Sequence, residues 1–312
     1  MISRFFGKVL ERIFGYQFIV DKSAQLPRWM RSFVSYRFFS LIARRVDAEH
    51  PRLVSTNLGM NARYQCLIPH YNHIALYGKP NLYDGERGAL YLASSLLKSA
   101  DVFVDVGSHI GYFLFFLRDG VPDHTPIYFL EPDPELFESI EGNVQRNGLP
   151  AVHGFNAAMG SYDGTASFFK NLTTPSSGSL TALFSDKHET IKMSVPILTF
   201  DTLAKKFRFA KACVKVDIEG AEQEFFEGVK DSVDTLAFLI IEVLGPAIHA
   251  GFVQRLMSTW KFHAYYINDL TLEHTQDGSF TYRDGQFNWL FCRERPDQLR
   301  ELIRGSSLCV KV

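Results

Sequence analysis

Two rhythms of apolar and polar positions run along this chain. Ile2, Phe5, Phe6, Val9, Leu10, Ile13 and Phe14 recur at helical spacing with Lys8, Glu11 and Arg12 between them, and a second basic and aromatic run follows Pro27. Short strands are expected at 63–67 and 73–77, and 85–97 reads as a helix with Ala89, Leu90, Leu92, Leu96 and Leu97 on one side. From 102 onward the pattern becomes regular. Strand 102–106 meets a glycine turn and an apolar helix reaching about Leu117, and strand 127–130 follows. Asp133 is placed to cap the next helix, with Pro134 at its first position and Asn147-Gly148 at its end. Further strands are expected at 152–157, 166–169 and 192–196, a short helix from Asp201, strands 214–216 and 238–243 flanking helix 221–229, and final strands at 264–267 and 288–292. Strands alternating with helices at this spacing predict a doubly wound α/β sheet.

Composition narrows the class. The chain has 312 residues, 46% hydrophobic and 21% charged, which excludes low-complexity disorder and leaves room for a sizeable core. A formal charge of −1 gives no reason to expect nucleic acid. That neutrality is uneven: residues 1–45 carry nine basic and two acidic side chains, or +7, which leaves −8 for 46–312. Such a segment can lie on an anionic membrane surface, or its two helices can pack on the main domain or on a second subunit as a homodimer. Cys66, Cys213, Cys292 and Cys309 form no C-x-x-C pair, no stretch has the length and apolarity of a membrane span, and the start lacks an unbroken apolar core. A reducing, cytoplasmic setting, peripheral at the membrane if the N-terminal segment binds there, is therefore expected, and Asn171-Leu172-Thr173 reads as an accidental glycosylation match. His70 and His73 lack convincing zinc-binding partners.

The chemistry concentrates at strand ends. Val104-Asp105-Val106-Gly107-Ser108-His109-Ile110-Gly111 leaves a buried strand and enters a helix, so Gly107 and Gly111 permit a tight turn and a close ligand approach to backbone amides. His109 and Tyr112 stand where a G-x-G-x-x-G fingerprint has glycines, which weakens a nicotinamide or flavin reading; no Walker-type phosphate loop occurs. Leu130-Glu131-Pro132 ends the next strand, where an acidic side chain can accept both hydroxyl hydrogens of a ribose. The two turns describe a nucleoside site without a pyrophosphate cradle.

With Phe200-Asp201-Thr202-Leu203 and Val214-Lys215-Val216-Asp217-Ile218-Glu219-Gly220-Ala221-Glu222, these motifs make the chain resemble the FkbM family of class I S-adenosylmethionine-dependent methyltransferases from about Tyr83 to Val243. The resemblance implies a seven-stranded, mostly parallel sheet with helices on both faces and an antiparallel last hairpin. It also implies S-adenosylmethionine as cofactor and O-methylation of a sugar, glycan or related metabolite. His109 departs from the asparagine of many relatives while retaining a polar side chain. Under this reading Asp105 meets the methionine amino group or the turn amides, Gly107, Ser108, His109 and Gly111 shape the turn, Glu131-Pro132 holds the ribose, and Asn156-Ala157 meets the adenine edge unless Asn156 only forms a turn. Asp217 is first choice for positioning or deprotonating the acceptor, with Lys215, Glu219 and Glu222 beside it and Glu242 at the next strand end; Asp217 and Glu219 can equally cap the following helix. Carboxylate number alone selects no metal, and none is assigned. The domain limits read as 1–80 for the N-terminal part, 81–296 for the methyltransferase domain and 297–312 for a tail. Acceptor specificity is expected in 171–188, 70–86 and 269–284. The competing reading is a noncatalytic scaffold recruited through the N-terminal segment.

Overall fold

The computed structural model describes residues 52–56, 58–60, 62–68, 86–171, 178–180, 190–244, 251–280 and 287–312. The basic N-terminal helices, His70, His73, strand 73–77 and most of the expected acceptor segments 70–86 and 171–188 fall outside them, whereas 269–280 of the third segment is described. The described chain opens with an antiparallel hairpin, β1 (Arg52–Thr56) and β2 (Tyr64–Ile68). Helix α1 (Arg87–Leu96) precedes β3 (Val102–Val106), α2 (Tyr112–Arg118), β4 (Ile127–Leu130), α3 (Pro134–Arg146) and β5 (Val152–Phe155). Three strands, β6 (Ala158–Met159), β7 (Gly164–Asn171) and β8 (Thr190–Leu198), make a separate small sheet in the order β6-β8-β7. The chain then re-enters the main sheet through α4 (Phe200–Phe207), β9 (Ala212–Val216), α5 (Glu222–Glu227) and β10 (Leu236–Glu242). It closes with α6 (Phe252–Trp260), β11 (His263–Asn268), β12 (Thr271–Thr275), β13 (Asn288–Cys292), α7 (Pro296–Leu302) and β14 (Cys309–Lys311).

The main sheet has nine strands in the order β14-β12-β11-β13-β10-β9-β3-β4-β5. Strands β5, β4, β3, β9 and β10 run parallel, and β13 lies antiparallel to both β10 and β11. The class I methyltransferase architecture expected from the sequence is therefore present, with β12 and β14 extending the expected seven strands to nine. Two placements differ from the sequence reading. Strands at 166–169 and 192–196 exist but belong to the small sheet, because alternation reveals a strand and not the sheet it joins. Residues 297–312, read as a tail, supply most of α7 and the edge strand β14, which pairs in parallel with β12.

Side-chain parity decides which residues meet. Val102, Val104 and Val106 of β3 pack with Val214, Val216, Leu239, Ile241 and the helices α4 to α6 on one face of the sheet. Phe103, Cys213, Phe238 and Ile240 point to the other face, against α1 and α2. Asp105 and Lys215 share that second parity and are register partners, and Glu242 lies two residues beyond Ile240, the partner of Lys215. Three ionisable side chains from three adjacent strands thus emerge on the α1 face, at the carboxyl ends of the strands where open α/β sheets bind ligands.

Candidate active site

Asp133 caps α3 as its spacing predicts, its Oδ1 accepting from the Glu135 amide at 3.0 Å. The turn after β3 is locked onto its neighbours. Gly107 and Ser108 donate their amides to the Leu130 carbonyl at 3.0 and 3.1 Å, His109 donates to Glu131 Oε2 at 2.7 Å, and Gly111 donates to the Ser108 carbonyl at 2.7 Å. These amides, expected to face a ligand, are engaged within the protein. The glycine at 107 instead permits close approach: it has φ 79°, and a Cβ there would run into the Asp217 carbonyl oxygen. The Asp217 amide donates to the Val106 carbonyl at 3.0 Å, so the tips of β3 and β9 are tied directly together.

A cleft opens over these tips. It is lined by Gly107, Glu131, Pro132 and Asp217, by apolar Leu136, Ala157, Met159, Phe168, Leu180 and Ile218, and by Asp133 and Lys170. An apolar slot with carboxyl groups in its lining suits a flat heteroaromatic ring joined to a diol-bearing sugar. Glu131 is 5% exposed; its Oε1 accepts from the Asp133 amide at 2.9 Å, and burial pushes its pKa up to about 8 despite the two backbone donors. Ala157 lines the cleft as expected, whereas Asn156 does not line it. Its Nδ2 donates to the Glu131 and Pro132 carbonyls at 2.8 and 3.2 Å, fastening the end of β5 to the Glu131 turn. Ser108 is likewise occupied, its hydroxyl donating to the Asp105 carbonyl at 3.0 Å. Lys170, which no motif marked, reaches from β7 to Asp133 Oδ2 at 2.9 Å and Glu135 Oε2 at 2.8 Å, bridging the small sheet to α3 across the cleft wall.

Beneath this cleft Asp105 is 2% exposed and its Oδ2 has no hydrogen-bond partner among the described residues. Burial raises its pKa to about 7 although Lys215 pulls it down. Burial alone holds the His109 imidazole at about 4, uncharged near neutrality. Asp217 faces both the cleft and a second group of acids: one carboxyl oxygen from each of Glu86, Asp217 and Glu242 lies within 4.8 Å of the others. Burial opposes the Asp217 charge, but Lys215 and a hydrogen bond from Glu242 outweigh it and keep Asp217 ionised. Glu242 is pushed well above the carboxylate range, first by burial and then by Asp217. Glu219, at φ 51° just past Asp217, is raised to about 8 by burial and by Asp217, while Glu222 turns back to accept from the Gly220 amide at 2.8 Å. The acids therefore differ in protonation, with an ionised Asp217 beside a protonated Glu242.

Residues 105–269 match the methyltransferase FkbM domain, more than half of the chain. The chain belongs to that family. Hexuronic acid methyltransferase AglP from Haloferax volcanii is 26% identical to this FkbM-family chain over 171 residues, 54% of this chain and 64% of the relative, so just under two thirds of that relative is spanned. Among solved structures, methyltransferase FkbM from Methylobacillus flagellatus KT has 15% identity and a TM-score of 0.40, over 71% of this chain and 52% of that one. The O-methyltransferase from Bacillus cereus in complex with SAH has 12% identity and a TM-score of 0.36, over 66% of this chain and 79% of that one.

Proposed function

We propose that this FkbM-family chain is an S-adenosylmethionine-dependent O-methyltransferase whose acceptor is a hydroxyl of a sugar, glycan or related metabolite. The observation that carries the reading is the double position of Asp217, which lines the nucleoside-shaped cleft and also faces Glu86 and Glu242. The residues fit the cofactor: the apolar slot for its adenine, Glu131 for its ribose hydroxyls, and the unpartnered, buried Asp105 oxygen for its amino group. When bound, S-adenosylmethionine supplies an electrophilic methyl whose bond to sulfur breaks with the electron pair left on sulfur. The protein's task is to hold an acceptor oxygen in line and to receive its proton. Positioning of this kind contributes ~7 to 11 kcal/mol to lowering a barrier. Asp217, ionised beside Lys215, takes the proton as the acceptor oxygen forms its new bond to carbon. The AglP relative supports a sugar-derived acceptor.

The test is transfer of a radiolabelled methyl group from S-adenosylmethionine into glycan and metabolite extracts. Asp217→Asn is expected to lower transfer by 10²-fold or more while cofactor affinity, read by calorimetry, stays within threefold. A folded protein that binds no S-adenosylmethionine would overturn the reading in favour of a noncatalytic scaffold.

A further inference from the structure

We propose that Lys170 is a positioning residue for the nucleoside half of the cofactor: it clamps the small sheet onto α3 so that Phe168 covers the cleft, and breaking the clamp speeds cofactor exchange. The proposal rests on the methyltransferase reading and adds to it a residue that no motif marks. The small sheet is anchored at one end. Strand β6 and Gly164 of β7 both pair with β8 at Ile197. Just beyond β6, the Gly160 carbonyl lies so close to Gly228, after α5, that a Cβ on Gly228 would run into it. From that base β7 and β8 run out as an antiparallel pair to Lys170 and Asn171, about 20 Å along the strand.

Apolar packing does little to hold the far end. Phe168, Val195 and Ile197 of β7 and β8 form, with Ala158 of β6, a minor cluster apart from both cores of the main sheet, and β8 has no buried side chain from Thr190 to Ser194. Lys170 supplies the hold instead. Its ammonium meets Asp133 Oδ2 at 2.9 Å, Asp133 Oδ1 at 3.2 Å and Glu135 Oε2 at 2.8 Å, so its three hydrogens have three acceptors, all at the start of α3. Successive side chains of a strand alternate in direction, so Phe168 and Lys170 share one face of β7, and both line the cleft. The clamp therefore seats the Phe168 ring, with Leu180 packed against its cluster, in the same apolar lining as Leu136 and Ile218 of the main domain.

The same contact reaches the ribose side. Asp133 is buried, its Oδ1 also caps α3, and its amide donates to Oε1 of Glu131, the carboxyl group assigned to the ribose in the methyltransferase reading. Removing the Lys170 charge strips a buried carboxylate of its cation, so the roof and the turn that carries Glu131 lose their fixed position together. The two ion pairs differ in exposure: the Asp133 side chain is 5% exposed and that of Glu135 58%. Dissolved salt screens the outer pair strongly and the inner one little, so the clamp weakens as ionic strength rises. Methylthioadenosine, which has the nucleoside half and lacks the amino acid, should feel the clamp as fully as the whole cofactor.

Surface plasmon resonance on the full chain, with S-adenosylhomocysteine and with methylthioadenosine, reads the clamp without requiring turnover. Lys170→Met, which keeps the stem and removes the charge, is expected to raise the dissociation rate of S-adenosylhomocysteine tenfold or more, with the association rate changed less than threefold, and to raise Kd for methylthioadenosine by the same factor. Lys170→Arg should return both to within threefold of the parent. Glu135→Gln, which leaves the cleft lining intact, should speed dissociation two- to fourfold in the parent and not at all in Lys170→Met. Raising sodium chloride from 50 to 500 mM should speed dissociation from the parent and not from Lys170→Met. A dissociation rate in Lys170→Met within twofold of the parent, a loss confined to S-adenosylhomocysteine with methylthioadenosine unchanged, or equal effects of Glu135→Gln in both backgrounds would each overturn the clamp. Should Lys170→Met fail to fold, parental rates in Glu135→Gln together with a salt-independent parent would overturn it. A parent that binds neither S-adenosylhomocysteine nor S-adenosylmethionine would sink the methyltransferase reading and the clamp with it, whereas a parent that binds and variants that match it would remove the clamp alone.

Discussion

Asp105 shows how one side chain links stability to ligand binding. It stands inside a β-strand beside Lys215, with one oxygen unpartnered among the described residues, and burial outweighs that cation and moves its pKa to about 7. A buried carboxyl oxygen without a hydrogen bond is costly until a donor arrives. Affinity for S-adenosylmethionine is therefore expected to strengthen as pH rises from 6 to 7.5, where Asp105 gains its charge. In Asp105→Asn it should be at least tenfold weaker and nearly flat with pH, and calorimetry across that range checks both. Residues announced by strand-end position (Asp105, Glu131, Lys215, Asp217 and Glu242) all gather where the strands end. Glu86 and Lys170 gave no such signal, because each reaches the site by tertiary packing, from a helix start and from a different sheet. Asn156 was legible only as two alternatives, because an asparagine after a strand suits a ligand contact and a backbone turn equally well; in the structure its amide ties the end of β5 to the Glu131 turn.

At the scale of elements, the site depends on contacts that hold helices and hairpins in place. Asn143 of α3 accepts from the Leu67 amide at 2.7 Å and donates to the Leu67 carbonyl at 3.1 Å, pinning β2 through one completely buried side chain. Asn143→Ala strands both backbone groups, and a loss of about 1–3 kcal/mol is expected in chemical denaturation. Cofactor affinity should change little, since α3 meets the cleft at its other end through Leu136. Asp201 was expected to start a helix; Thr199 caps that helix by accepting from the Thr202 amide at 3.1 Å. The Asp201 carboxylate instead receives the amides of Asp231 and Ser232 at 2.9 and 3.0 Å, tying α4 to the loop after α5. Sequence pattern identified the helix because its apolar face is regular, but a carboxylate bound to amides thirty residues away leaves no local trace. Strands β12 and β14 passed unnoticed for a related reason: short segments carry too few periods to stand out; helix α6 was missed although Phe252, Val253, Leu256 and Trp260 mark its buried face.

For the whole molecule, the buried acids dictate how stability varies with pH. Burial raises Asp105 and Glu222 to about 7 and Glu131 and Glu219 to about 8, and it raises Glu86 and Glu242 as well. The folded chain thus keeps protons that the unfolded chain releases above about pH 4, so stability falls as pH rises through this window. His109 and His274, lowered chiefly by burial, oppose the trend only below their ordinary value of 6.5. The midpoint of thermal unfolding of the cofactor-free protein is expected to drop by several degrees between pH 6.5 and 8.5. A midpoint that is flat or rises over that range in differential scanning fluorimetry would contradict this.

Strand β14 has a bearing on self-association. It is three residues long, with exposed Cys309 and Lys311 flanking buried Val310, and it covers the outer side of β12. Short, charged strands at a sheet margin discourage the pairing of one molecule's backbone with another's. Val310→Pro removes an amide hydrogen and the buried side chain together, baring β12 as a template for foreign strands. Light scattering is expected to show concentration-dependent aggregation of that variant, while the candidate cleft, at the far side of β13 and β11 from this margin, is expected to keep its cofactor affinity. Three residues remote from the cleft would then govern whether the protein stays dispersed at high concentration.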